Sequence, residues 1–242
     1  MRCFYLPSDG WSSGDEVALP GHLQKHILKV LRLGPGADLQ LFNGFGLIAD
    51  AVLQKNGLAR VVRLTRQPEP LCHLTLIQGL PKGDKLELIL QKGTELGVNH
   101  FVFVQMERSV GQLKSERRDK RMERWQKIIE QAARQAHQYY LPQLSIQDSL
   151  TEALKEVQAD KKIILWEDSR NSLERVLPQS HPQRMAVVVG PEGGLSSQEV
   201  KLAGDKGYDV ASLGPRILRT ETAGLAIMSI LQYLYGDLTS GQ

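Results

Sequence analysis

The chain of 242 residues holds only two cysteines, Cys3 and Cys72, far apart and each outside any paired spacing. Neither a disulfide framework nor a cysteine-based metal or redox site can be built on them, so a reduced, cytoplasmic setting is expected. Long apolar runs are missing too. Nothing reaches the roughly 20 residues that span a bilayer, and the opening Met1-Arg2-Cys3-Phe4-Tyr5-Leu6-Pro7 lacks the apolar core of a signal peptide, so neither membrane insertion nor secretion is expected. His22 and His26 share a helical spacing, but no acidic residue stands between them as a zinc protease would need. Packing or a nucleic-acid contact is the expectation there, and no metal. Repeats and low-complexity segments are absent. A strong charge bias is also lacking: the net charge of +3 permits a nucleic-acid partner without indicating one. The 41% apolar content suffices for the core of one large or two small domains.

What the chain does have is concentrated near its C-terminus. Residues 185–189 form a short β-branched run that reads as a buried strand and leads directly into Gly190-Pro191-Glu192-Gly193-Gly194. Ser196 with Glu199 is a capping box, which predicts a helix over 197–206 stopped by Gly207. Residues 209–213 are the next strand candidate, 214–219 a second loop, and Thr220 a candidate N-cap for a helix reaching Leu234, closed by Gly236. Two strand–loop–helix units in succession place both loops outside the carboxyl ends of parallel strands, where open α/β sheets bind ligands. Glycines let a ligand lie against backbone, whose free amides and carbonyls can hydrogen-bond a nucleobase. Taken alone, each loop also reads as an ordinary turn.

Upstream, residues 1–69 read as short strands at 3–6, 39–43, 47–53 and 58–65, with a hairpin signal at Asn43-Gly44. A helix from Gly21 to about Leu33 should turn Leu23, Ile27, Val30 and Leu31 inward, leaving Lys25, Lys29 and Arg32 in solvent. Pro68-Glu69-Pro70 is the expected boundary between a domain of residues 1–69 and one of 70–242. Beyond it, 74–80 reads as a strand, Asp84 as the cap of a helix burying Leu86, Ile89, Leu90 and Leu96, and 101–104 as another strand. A basic run follows, including Arg108, Lys114, Arg117, Arg118 and Arg124. Ser115 can cap a long helix there, whose apolar stripe is Met122, Trp125, Ile128, Ile129, Ala132 and Ala136. The charged face is either a solvated surface with local ion pairs or a platform for RNA phosphates. A helix capped by Ser149, a strand at 162–166 and a short helix near 172–177 complete an alternating α/β pattern with a parallel sheet.

The paired motifs Val188-Val189-Gly190-Pro191-Glu192-Gly193-Gly194-Leu195-Ser196 and Leu213-Gly214-Pro215-Arg216-Ile217-Leu218-Arg219-Thr220-Glu221-Thr222-Ala223 resemble the SPOUT class of S-adenosylmethionine-dependent RNA methyltransferases. Within that class they resemble the RsmE family, which methylates N3 of a uridine in 16S ribosomal RNA. The segment from Gln91 through Gly93, Thr94 and Glu95 to Val98, and Glu130-Gln131 with Arg134, resemble further segments of that family. The chain departs from the family at Ala132, Ala133 and Gln135, where a small residue with glycine, and then asparagine, are usual.

The resemblance implies a SPOUT-type α/β domain with a deep trefoil knot, preceded by a small PUA-like β-barrel that binds RNA. It implies that S-adenosyl-L-methionine is held around Leu165, Glu167, Val189, Gly190, Gly193, Gly194, Leu213, Gly214, Ile217, Leu218 and Thr220. The RNA-facing candidates are Arg2, Lys25, Lys29, Arg32, Arg108, Arg134 and Arg216. A homodimer acting on 16S rRNA in the small ribosomal subunit is implied as well, with RNA held by one subunit reaching the catalytic loop of the other. Arg219, just before the last helix, is the candidate catalytic residue. A fixed guanidinium stabilises the negative charge that spreads onto O2 and O4 as N3 loses its proton. It could instead pair with Glu221 or Glu192, or bind a phosphate. A SPOUT methyltransferase acting on another RNA site is an alternative within the same class, and two other functions compete. A Rossmann-type methyltransferase or dehydrogenase would want a glycine fingerprint after its first strand and an acid after its second, and after residues 74–80 only Lys82-Gly83-Asp84 stands. A non-catalytic RNA-binding or ribosome-assembly protein explains the basic residues but not the two glycine loops.

Overall fold

The computed structural model describes residues 2–110 and 118–239. They fall into two compact units: residues 1–69 together with Ala133–Leu141, and Pro70–Ala132 together with Pro142–Gln242. Ser115, Lys114 and Arg117, singled out above for capping and charge, lie outside the described residues.

The first unit is a five-stranded sheet in the order β1-β3-β4-β5-β2, formed by β1 (Arg2–Tyr5), β2 (Glu16–Val17), β3 (Asp38–Phe42), β4 (Leu47–Leu53) and β5 (Ala59–Arg66). β1 runs parallel to β3, and the other pairs are antiparallel. Alternation along β3 and β4 sends Leu39, Leu41, Ala49, Ala51 and Leu53 into one core with Phe4, Leu23 and Ile27. The Asn43 side chain closes the β3–β4 hairpin by accepting from the amides of Phe45 (2.8 Å) and Leu47 (3.1 Å).

The single helix expected over 21–33 is instead a short α1 (Gly21–Lys25) followed by a π turn at His26–Val30, in which the Leu31 amide reaches back five residues to His26. The wider turn moves later residues off the apolar stripe. Val30 is therefore 64% exposed rather than buried, while His26 packs edge-on against Phe4.

The stretch Ala133–Leu141 completes this unit, and the break at Pro68–Pro70 gives no sign of it. Tyr139 donates to Gln40 at 2.8 Å and meets the Phe42 ring edge-on. The amides of Gly46 and Leu141 bond to the carbonyls of Tyr139 and Gly44. Gly46 has φ +78, and a Cβ there would stand 2.4 Å from the Tyr140 ring.

The second unit is a six-stranded sheet in the order β11-β9-β10-β6-β7-β8 with every pairing parallel. Its strands are β6 (His73–Gly79), β7 (His100–Val104), β8 (Gln143–Gln147), β9 (Lys161–Leu165), β10 (Arg184–Val189) and β11 (Asp209–Ala211). The helices are α2 (Lys85–Glu95), α3 (Arg118–Ala136), α4 (Leu150–Glu156), α5 (Leu173–Val176), α6 (Ser197–Asp205) and α7 (Thr220–Tyr235).

Strand alternation sorts the helices onto the two faces. Ile77, Val102, Val104 and Val188 share a core with Leu150, Ala153 and Leu154 of α4 and Val200 and Ala203 of α6. On the opposite face Phe101 lies under Gly93 of α2, Phe103 meets Trp125 of α3, and Leu76 and Gln78 lie under Gly224 of α7. Each large apolar side chain buried in this way contributes about 1.5–3 kcal/mol.

Ser196 and Glu199 form the expected capping box, and Gly207 at φ +81 ends α6. Asp84 takes the N-cap place of α2 without a side-chain cap bond, because its backbone is already near-helical (φ −82, ψ −1); capping by the side chain needs an extended residue. Ala136, expected in the apolar stripe of α3, is exposed at the end of that helix. Among the described residues no helix is long and apolar enough to cross a membrane.

Candidate active site

Three loops at the carboxyl ends of β9, β10 and β11 enclose a cavity of about 730 Å³, within the size range of small-molecule sites. The first follows β9 and carries Trp166, Glu167, Ser169 and Arg170; the second is 190–195; the third runs from Ser212 to Arg219. The first and third are joined by a bridge between Ser172 and Ser212 and by the Trp166 amide bonding to the Ala211 carbonyl at 2.9 Å.

The loop after β10 is held close to its surroundings by the absence of side chains. Gly194 has φ +72, and a Cβ there would approach Glu167 Oε1 to 2.8 Å. A Cβ on Gly193 would stand 2.8 Å from that of Arg108, whose guanidinium donates to the Gly193 carbonyl at 3.3 Å.

Glu192 is fixed from outside, accepting from the Lys82 amide at 3.0 Å and pairing with Lys85 Nζ at 3.1 Å. Burial pushes its carboxyl up, but the bonds from the Lys82 amide, its own amide and Lys85 outweigh burial and hold it below the ordinary carboxylate value. Lys85 is held above the ordinary lysine value, chiefly by its bond to Glu192. Its second partner is Glu221 in the first turn of α7, at 3.3 Å.

Every residue expected to hold the cofactor lines this cavity: Leu165, Glu167, Val189, Gly190, Gly193, Gly194, Leu213, Gly214, Ile217, Leu218 and Thr220, with Arg216 and Arg219 beside them. Glu192 and Glu221 both turn to Lys85, and among the described residues no carboxylate pairs with Arg219, which is exposed. Thr220 is not the N-cap of α7. Arg219 takes that position in an extended conformation (φ −65, ψ 152), and Thr220, the first helical residue, uses its hydroxyl to donate to the Gly190 carbonyl.

The remaining basic candidates belong to the first unit and are not among the residues that line the cavity. In the first unit Arg2 donates to the Leu31 carbonyl, Lys25, Lys29 and Arg32 are exposed, and Arg134 is half-buried near Cys3. Lys85, Arg170 and the buried Gln78 did not stand out from the sequence. For Gln78 the signal was an amide in alternation with Leu74 and Leu76, on the strand face they share, since a buried polar residue is the informative exception.

An RNA methyltransferase domain model matches residues 67–232 and an RNA methyltransferase PUA domain model matches 19–62. The ribosomal RNA small subunit methyltransferase E of Bacillus subtilis is 35% identical over 228 residues, covering 89% of each chain. The enzyme of that name from Neisseria gonorrhoeae, solved bound to S-adenosyl methionine, superposes with a TM-score of 0.87 at 36% identity over 99% of this chain and 100% of that one. A Legionella pneumophila methyltransferase solved with bound SAM gives a TM-score of 0.89 at 31% identity, covering 98% and 99%. By sequence and by fold, the chain belongs to the ribosomal RNA small subunit methyltransferase E family.

Proposed function

We propose that this protein methylates N3 of a uridine in 16S ribosomal RNA, using S-adenosyl-L-methionine bound in the cavity at the ends of β9, β10 and β11. The observation that carries the reading is the convergence of both glycine loops and Arg219 on that cavity. The residues fit the cofactor. Apolar Leu165, Leu213, Ile217 and Leu218 offer an adenine surface, the glycine loops expose backbone polar groups, and no side chain at Gly193 or Gly194 intrudes.

When bound, the cofactor supplies a methyl group made electrophilic by its sulfonium. The protein's work is to align N3 with that methyl group and to favour the uracil anion. Arg219 is too basic to take the N3 proton, so its part is to stabilise charge on O2 and O4. Arg216, at the same rim, and Arg108 lie where RNA phosphates can be met.

Arg2, Lys25, Lys29, Arg32 and Arg134 are among the cationic side chains of the PUA unit, whose proposed role is to clamp the substrate. Exposed Ile230, Tyr233 and Leu234 on α7 support a homodimer, since α7 buries Ile227, Met228 and Leu231 and leaves a second apolar strip free. β10 lies between β9 and β6, and the N-terminus of α7 is fastened back to Gly190 and Gln78. This arrangement supports the trefoil knot. The free, buried thiols of Cys3 and Cys72, which burial raises to about 12 and about 11, suit the reducing cytoplasm.

Calorimetry with S-adenosylmethionine, repeated with chelator, tests cofactor binding without metal. Mass mapping of ribosomal RNA from cells lacking the protein tests the substrate. A full complement of methylated uridine in those cells would overturn the reading in favour of a non-catalytic RNA-binding protein.

A further inference from the structure

Gln78 at the end of β6 is fully buried, and its amide nitrogen faces two separate walls of the cavity. Nε2 lies 2.7 Å from Thr220 Oγ1 and 3.2 Å from the Gly190 carbonyl, with the carbonyls of Gly79 at 3.1 Å and Val189 at 3.4 Å completing its surroundings. Thr220 in turn donates to Gly190. One side chain therefore joins the loop after β10 to the first residue of α7, next to Arg219.

The other half of the same amide has no such support. Gln78 Oε1 is buried and, among the described residues, accepts no hydrogen bond. It faces α7 at Gly224, where even a Cβ would approach it to 3.2 Å. An unmade hydrogen bond in the interior opposes folding. An apolar side chain of the same length would avoid that loss and fill the same space. The amide thus weakens the fold on one side while its nitrogen bridges two functional loops on the other, a pattern expected where a polar group serves the site rather than the core.

We propose that Gln78 is a positioning residue for methyl transfer: acting through Thr220, it sets where α7 begins relative to the Gly190 loop, and so holds Arg219 at its place over the bound substrate. The inference rests on the methyltransferase reading. It differs from a cofactor contact because Gln78 lies beneath the loops and is absent from the lining of the cavity. Misplacement of a reacting group by about 1 Å can cost roughly 100-fold in rate.

The test uses the full-length protein, small ribosomal subunits and S-adenosylmethionine, and reads three quantities: thermal midpoint without cofactor, cofactor affinity, and single-turnover rate at saturating cofactor and RNA. Gln78→Met should leave the midpoint within about 3 °C or raise it, change cofactor affinity by less than about threefold, and slow transfer roughly 10- to 100-fold. Thr220→Val should slow transfer as well, and Thr220→Ser should recover most of that loss. Adding Gln78→Met to Thr220→Val should then cost little more, because the two side chains act as one unit.

Transfer by Gln78→Met at the wild-type rate would overturn the inference. So would losses that multiply in the double variant, or a rate loss matched by loss of folded protein. Should Gln78→Met not fold, the inference falls if Thr220→Val and Thr220→Ser transfer equally fast. A wild-type protein that transfers no methyl group would overturn the functional reading itself, whereas an active wild type with an equally active Gln78→Met variant sinks only the role of Gln78.

Discussion

Lys85 Nζ stands 3.1 Å from Glu192, joining the first turn of α2 to the glycine loop after β10. The folded protein lowers Glu192 below its ordinary value of 4.5, so the pair's contribution is present above that pH and is lost as the pH falls through the depressed value. Lys85 is raised above 10.5, so on its account the contribution is present below that pH and lost only in stronger alkali. The latch is therefore constant from about pH 6 to 9. Because both side chains are partly exposed, Glu192→Gln should weaken cofactor binding only about two- to fivefold at pH 7.5. Titration calorimetry at descending pH should show the difference from wild type closing below pH 4.5.

Arg219 reaches the rim of the cavity without a carboxylate partner among the described residues, so its charge is available to substrate. Arg219→Ala should lower the single-turnover rate by about two to three orders of magnitude, by analogy with loss of one oxyanion donor, with cofactor affinity nearly unchanged. A normal rate at saturating RNA, with only RNA affinity reduced, would assign the residue to phosphate binding.

At Gly194 the left-handed backbone, φ +72, would cost an alanine about 1–2 kcal/mol, and its methyl group would displace Glu167. Gly194→Ala should therefore weaken cofactor binding roughly tenfold or more. Cofactor-induced thermal stabilisation, compared between the two proteins, measures the loss.

Gly46→Ala addresses the other unit. The added methyl group would press on the Tyr140 ring, and overpacking of this kind costs about 1–3 kcal/mol. The unfolding transition of the first unit should move down by at least about 5 °C, while cofactor affinity measured below that transition stays within about twofold. Scanning calorimetry resolves the two.

Legibility of the sequence followed the range of the interaction involved. The strand at 185–189, the Ser196–Glu199 capping box and the hairpin at Asn43-Gly44 depend on neighbours within a few residues, and all could be read directly. The π turn at His26–Val30 leaves no period of its own in so short a stretch, and β8 is an edge strand with a mixed burial pattern. Asp84 had the residue type of a cap without its backbone. The cavity was legible because its walls are glycine motifs. Its supports were not: Gln78 and Lys85 act on partners that only the fold brings near, as far as 142 residues away in the chain for Gln78 and Thr220.

The first unit is assembled from two separate pieces, and this bears on its birth as well as its shape. A ribosome making the chain releases residues 1–69 well before residues 133–141 exist. At about 5–20 residues per second the delay is roughly 4–14 s. During that interval Phe42, Gly44 and Gly46 wait without Tyr139, Tyr140 and Leu141, so the nascent barrel has an open side, and closure belongs to the middle of synthesis rather than its start.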